Sequence, residues 1–252
     1  MATNQPHLRP MTLRDIPAVL QWIAATDEEN AEQAREEFAA GLEGQLIYER
    51  GDRMVGTTGV EEIEGTDGSC WLGWTAVAPD TQPDEALAML AELTAQLQQQ
   101  EVRKIFAETS DPAEQGLRAL LENSGFQKEL EHPDYYAPGE HMVGLGLRLF
   151  SAEPEPIEGD PRPVQLIDLI EIEDADGTLF VDWDFANEAG PNELNDAARF
   201  ARGRDGRLLF ASAPSHATGA ARAFEAAGFR HAGCWLDFHE DGVHEEHFRM
   251  EL

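Results

Sequence analysis

The sequence predicts an α/β chain, one full run of alternating strands and helices followed by a shorter run that replays its second half. Apolar residues switch repeatedly between a period of two and a period near 3.6, as strands and helices in turn require. A proline-rich break, Ser151 to Pro163 (SAEPEPIEGDPRP), divides about 150 residues from about 90. Its Pro154, Pro156, Pro161 and Pro163 forbid regular helix or inner strand and give a stiff, extended connection. Beyond the break the chain repeats itself. The expected organisation is a domain over 1–150, a linker over 151–163 and a truncated second domain over 164–252.

LRPMT opens the first run as a strand. Leu13 to Ala25 follows as a helix with Ile16, Val19, Leu20 and Ile23 on one stripe, and Glu28 to Leu42 as a second, more polar helix. Strands come next at Gln45–Glu49 and Arg53–Glu62, and the Thr66-Asp67-Gly68 turn leads into a strand SCWLGWTAV. After Pro79 a long helix over Asp84 to Gln100 carries Leu87, Leu90, Leu93 and Leu97. Strand KIFAET, a helix over Ala113 to Ser124, and closing strands around Gln127–Leu130 and Met142–Leu149 complete the set. In the repeat, Glu62 to Ser69 (EIEGTDGS) is matched by Glu171 to Thr178 (EIEDADGT), and Trp74 by Trp183. KIFAETSDPAEQGLRALLENSGF is matched by RLLFASAPSHATGAARAFEAAGF. No counterpart of the first strand and two helices exists, so the repeat is expected to leave a sheet face uncovered and to dock on the first copy.

Composition excludes some functions. The chain has 49 acidic against 18 basic residues, a formal charge of -31, and only two lysines, Lys104 and Lys128. A polyphosphate partner or an anionic membrane needs clustered cations, so neither nucleic acid nor membrane is an expected partner. No segment approaches the roughly 20 apolar residues that span a bilayer, and the N-terminus carries no signal-peptide pattern; a cytoplasmic setting is expected. Cys70 and Cys234 stand far apart without metal-ligand spacing and read as buried thiols, with a disulfide as the alternative. The acidic excess resembles that of proteins from salt-accumulating organisms, in which salt screens self-repulsion.

The order of elements, the SGF and AGF endings, WTAVAP after a strand and DYYAPGEH before the last strand resemble the GNAT family of acyl-CoA-dependent N-acetyltransferases. The resemblance spans residues 8 to 149, and 163 to 252 in part. It implies a mixed, splayed central sheet with helices on both faces, and acetyl-CoA held between the strand ending Trp74-Thr75-Ala76-Val77 and the strand from Lys104 to Glu108. The Val77 N–H would polarise the thioester carbonyl, with neighbouring backbone at Thr75 and Ala76 gripping the pantetheine arm. A carboxylate would take the acceptor's proton: Glu61, Glu62, Glu64 and Glu108 are candidates, each also readable as a solvated charge. The acceptor is expected to be a small amine or amino-acid-like molecule, and a homodimer is left open.

Two places depart from the family pattern. The tyrosine usual four residues before the GF glycine is Leu121 here and Phe224 in the repeat, so Tyr135 and Tyr136, read in a loop beside the acceptor, are the substitute proton donors. The loop that holds the pyrophosphate of CoA, Q/R-x-x-G-x-G/A, is Thr81-Gln82-Pro83-Asp84-Glu85-Ala86. Gln82 and Ala86 remain as cofactor contacts, but Pro83 has no N–H and two acids crowd the helix start. The repeat reads Ala189-Gly190-Pro191-Asn192-Glu193-Leu194. Both are then helices capped for their own stability, and an acetylation-competent protein stands against a catalytically inactive GNAT-like binding protein. In the hairpin around Asp241-Gly242, His239 and His244 would pair across the strands beside Asp237 and Glu246; an exposed polar hairpin is preferred to a metal site there. Asp174 to Gly177 lacks the spacing of a calcium loop and reads as a hairpin turn.

Overall fold

The computed structural model describes residues 6–151, 154, 157–172, 174–186 and 193–252. The chain divides into two compact units: Met1–Thr109 with Ala113–Gln127 and Leu145–Ser151, and Ser110–Pro112 with Lys128–Gly144 and Ala152–Leu252. No helix among the described residues is long and apolar enough to cross a membrane.

The first unit runs β1 (His7–Pro10), α1 (Ile16–Ala24), α2 (Glu28–Ala40), β2 (Gln45–Arg50), β3 (Arg53–Glu62), β4 (Ser69–Leu72), β5 (Ala76–Val77), α3 (Pro83–Gln99), β6 (Lys104–Asp111) and α4 (Gln115–Asn123). Local chemistry starts each early helix. Asp15 precedes α1 with its carboxylate gripped by both Arg9 guanidinium nitrogens and by the Thr12 amide and hydroxyl, and the Arg9 bond above all holds it down to about 2. Asp27 caps α2 by accepting from the Glu29 and Asn30 amides at 2.8 and 3.3 Å. The strands order β1-β2-β3-β4-β6, with β5 on β3. Strand alternation sends Ile47, Met54, Ala76 and Ala78 to one face, under Val19, Trp22, Ala34 and Phe38 of α1 and α2. Their neighbours Tyr48, Val55 and Val77 go to the other, where Met89 of α3 packs.

The closing hairpin, β7 (Gln127–Ala137) and β8 (Glu140–Arg148), is longer than the sequence suggests, and most of it belongs to the second unit. DYYAPGEH is therefore no loop. Asp134 takes φ 55°, its amide donates to His141 Nδ1 at 2.8 Å, and its carboxylate accepts the Gly139 amide at 2.7 Å. Side chains thus replace ladder bonds and carry the strand through to Ala137.

The second unit continues with β9 (Val164–Glu171), β10 (Thr178–Phe185), α5 (Glu193–Arg202), β11 (Leu208–Pro214), α6 (Thr218–Ala227), β12 (Arg230–Glu240) and β13 (Val243–Glu251). Its strand order is β7-β12-β13-β11-β10-β9. Leu179, Leu209, Phe224, Phe248 and Leu194 form its core. The hairpin device recurs: Asp237, at φ 50°, donates its amide to His244 Nδ1 and accepts from Gly242 at 2.8 Å each. Glu240 pairs with Val243 across Asp241-Gly242, and the register slips between there and the Trp235–Glu245 pair. His239 bonds Glu245 at 2.7 Å while His244 takes the Asp237 amide, so the two imidazoles have different partners. The linker gains a task from Gly159 on. The Asp160 carbonyl accepts from the Gly219 amide and Thr218 hydroxyl, and a Cβ on Gly219 would lie 1.9 Å from the Arg162 carbonyl oxygen. Linker residues 152–153 and 155–156, Glu173 of the repeated motif, and residues 187–192 lie outside the described residues. Both cysteines are thiols; Cys70 is buried, which pushes it up to about 12, while Cys234 is half-buried rather than buried as read.

Candidate active site

SCWLGWTAV is two strands. β4 lies parallel to β6 for three pairs, Ser69 with Lys104, Cys70 with Ile105 and Trp71 with Phe106. The chain then bulges at Gly73 to Thr75, and β5 pairs with β3 alone, Ala76 to Thr57 and Val77 to Gly56. β6 runs straight on, so the sheet opens beyond Phe106. The Trp71 and Phe106 rings, 5.7 Å apart, close the apex, and the buried Lys104 ammonium stands 4.7 Å over the Phe106 ring. On β3 the Ala78 amide takes the Val55 carbonyl at 2.8 Å. Successive amides of a strand face opposite edges, so the Val77 N–H faces away from β3, toward the opening.

Glu108 stands on the other wall, two residues past Phe106 on β6. Its side chain is exposed, and desolvation beside the sheet pushes its carboxyl up to about 7. Glu62 is elsewhere. It is exposed opposite Cys70, on the stretch where the strands are still paired. Among the residues the sequence singled out, the fold gathers Thr75, Ala76, Val77 and Glu108 at the opening and leaves Glu62 behind its apex. The Thr75 hydroxyl is committed to the bulge, donating to the Gly73 carbonyl with Thr58 Oγ1 at 3.0 Å, and Ala76 packs against α1 and α2.

At the start of α3, Gln82 is the N-cap and Pro83 the first helical residue. Glu85 turns back on this start: Oε2 accepts the Gln82 amide at 3.2 Å, and Oε1 accepts from Arg50 at 2.9 Å and from Arg53. The Arg53 bond first, then the Gln82 amide and Arg50, hold its carboxyl down to about 2. The Ala86 amide bonds the Gln82 carbonyl at 3.1 Å. An internal carboxylate therefore sits at the helix start on the Gln82 amide, beside the Asp84 and Ala86 positions where the family pattern has small residues, and the helix start does not fit a pyrophosphate. Arg50 and Arg53 are partners of this helix start that sequence reading passed over. Their one signal was two cations flanking Gly51-Asp52 in a chain with 18 basic against 49 acidic residues.

In the second unit, Tyr135 and Tyr136 are strand residues. The Tyr135 ring lies 5.2 Å from Phe210 and 5.9 Å from His132, and Tyr136 stands edge-on at 5.0 Å. Their carbonyls accept from Thr178 Oγ1 and the Asp176 amide at 2.7 and 2.6 Å. Leu121 and Phe224, where the tyrosine would be, are fully buried core residues. The parallel pair of the second unit differs from β4 and β6. β10 and β11 pair only from Thr178–Leu208 to Phe180–Phe210, yet the Trp183 indole N–H then donates to the Ser212 carbonyl at 2.7 Å and ties the diverging strands together. Trp74 instead donates to Glu37 of α2, and half-buried Ser212 holds the position on β11 that Glu108 holds on β6, four residues past the first pair in each case. The repeat's helix start, Ala189 to Asn192, lies outside the described residues.

No protein-family model matches the sequence, and no curated protein matches it. Solved structures do. A protein from Desulfovibrio desulfuricans assigned to the GNAT acetyltransferases is 25% identical with a TM-score of 0.51, aligned over 58% of this chain and 100% of its own. The Escherichia coli ribosomal-protein-S18-alanine N-acetyltransferase is 18% identical (TM-score 0.47, 61% and 99% covered), and Ard1 from Thermoplasma volcanium 14% identical (0.48, 58% and 99%). A sheet that opens beside Val77 with helices on both faces, and this likeness, lead to one conclusion: over about 58% of its length the chain has the GNAT fold of N-acetyltransferases.

Proposed function

We propose that the first unit transfers an acyl group from a thioester to a small amine, at the opening between β5 and β6. One observation carries this: the Val77 N–H faces an opening whose other wall bears Glu108, a carboxyl raised to about 7. An N–H donor for a developing oxyanion and an acceptor for an ammonium proton then border the same space. The acceptor nitrogen would bond to the acyl carbon as the C–S bond breaks, its proton passing to Glu108 and the leaving thiolate taking a proton from solvent; Tyr135 and Tyr136, the donors the family resemblance suggests, belong to the second unit. Acetyl-CoA is the donor that the family resemblance implies. Its thioester end suits the opening and its pyrophosphate does not suit the start of α3, so Thr75, Ala76 and Val77 would carry the grip, with Gln82 and Ala86 part of the helix cap.

We further infer that 164–252 is a truncated copy of 1–150. The equally spaced Asp134-Gly139-His141 and Asp237-Gly242-His244 devices support this. Ser212 in place of a carboxylate and the Trp183 tie argue that the second copy holds no catalytic site. Thiols at both cysteines fit a reducing, cytoplasmic setting.

The second reading, a non-catalytic protein of the same fold, is favoured by the Glu85 carboxylate at the start of α3. Calorimetry with acetyl-CoA, in dilute buffer and at high salt, coupled to transfer assays over an amine panel, separates the two. Transfer that is lost in Glu108→Gln supports the enzyme; no binding under either condition supports the alternative.

A further inference from the structure

We propose that Gln45 is a positioning residue for this transfer, a role that rests on the transferase reading: its side-chain amide holds the bulge that turns the Val77 N–H out of the ladder and into the opening. Up to the bulge, β3 and β4 pair as Glu62–Cys70, Glu61–Trp71 and Val60–Leu72, and the amides bound to β3 include Gly73, which takes the Gly59 carbonyl at 2.8 Å. Bonded amides recur every second residue, so an unbroken strand would next bind Thr75 and then Val77 to β3. Past the bulge the pairs are instead Ala76–Thr57 and Val77–Gly56, and it is Ala78 that bonds Val55. One extra residue has moved the bond from Val77 to Ala78 and released the Val77 N–H to the opposite edge.

A bulge leaves carbonyls without ladder partners, and here side chains take them. Trp74 C=O accepts from Gln45 Nε2 at 2.6 Å, and Gly73 C=O accepts from the Thr75 hydroxyl at 3.0 Å. Gln45 Nε2 also donates to Thr57 Oγ1 at 2.7 Å, whose own proton goes to the Leu46 carbonyl at 2.9 Å. Gln45 is only 7% exposed, so a donor lost here would find no water to replace it. The surroundings are cut to its shape: a Cβ on Gly59 would lie 2.9 Å from Gln45 Oε1, and one on Gly73 3.1 Å from it. Glutamate would set an oxygen against the Trp74 carbonyl, and methionine would fill the space without donating.

Amide hydrogen exchange followed by NMR tests this without relying on turnover. In the wild type the Ala78 amide should exchange much more slowly than that of Val77; comparable protection of the two would overturn the proposal even if no variant folds. In Gln45→Met the order should reverse or the difference vanish, with kcat for acetyl transfer down about 100-fold and the thioester KM changed little. Unchanged protection in Gln45→Met and Gln45→Glu, or a kcat loss without the exchange change, would overturn it. If the wild type transfers nothing while the exchange pattern is as expected, the catalytic role falls with the transferase reading and the hold on Val77 stands.

Discussion

Two side chains decide how the protein should answer to pH. Glu108 can take a proton only as a carboxylate, so transfer should rise with pH through about 7 and level off above it. Glu108→Gln should remove that limb and lower kcat by about 100-fold or more, measured at saturating donor across pH 5.5 to 9. His132 acts on stability. It is fully buried, its Nε2 meets His247 Nδ1 at 3.0 Å, and its Nδ1 has no hydrogen-bond partner. Burial, first of all, lowers His132 to about 3 and His247 to about 4. Above 6.5 neither imidazole binds a proton in either state. Below it the unfolded chain takes up protons that the folded one refuses, so each histidine removes about 1.4 kcal/mol of stability per pH unit down to about 4. Glu108, raised to about 7, works in the opposite direction over the same range, so denaturant titrations from pH 6.5 to 4.5 should show stability lost less steeply in His132→Leu than in the wild type.

At the scale of elements, helix starts are where ligand binding and stability compete. Replacing Glu85 by Gln takes a charge from the start of α3 and loosens Arg50 and Arg53. Acetyl-CoA binding should tighten about two- to fivefold while the melting temperature falls, because the same carboxylate that repels a phosphate caps the helix. Calorimetry and a thermal melt on one sample check both. The matched glycines Gly116 and Gly219 should part ways. Gly116 in α4 has nothing within 4 Å of an added Cβ, so Gly116→Ala should stabilise by about 0.5 to 1 kcal/mol. Gly219→Ala in α6 drives a methyl into the Arg162 carbonyl and should cost about 1 to 3 kcal/mol, read from denaturant midpoints. Helices with an apolar stripe and a capping residue, such as α1 and α3, were legible in the sequence within a few residues. The break between β4 and β5 was not, because Gly73 to Thr75 look like continuous strand and Gln45, which stabilises the break, lies 28 residues away.

For the whole molecule, a charge of -31 is self-repulsive, and salt should raise the melting temperature steeply between dilute buffer and molar sodium chloride. A flat response would remove the case for a high-salt adaptation. The second unit should also fail to fold from residues 163–252 alone. It draws on Lys128–Gly144: Tyr135 and His132 pack on Phe210, and Thr178 and Arg207 bond carbonyls of Tyr135 and Asp134. Circular dichroism melts of the fragment should show no cooperative transition.

Sequence by itself determined the α/β order, the GNAT resemblance and the misfit of Pro83 and Glu85 with a pyrophosphate, since each rests on local periodicity or on residues adjacent in the chain. Tertiary structure alone decided that Glu108 rather than Glu62 borders the opening, that Arg50 and Arg53 converge on Glu85, and that the Val77 N–H leaves the ladder. Those outcomes depend on register and on contacts between distant residues, where a single extra residue reverses which way an amide points.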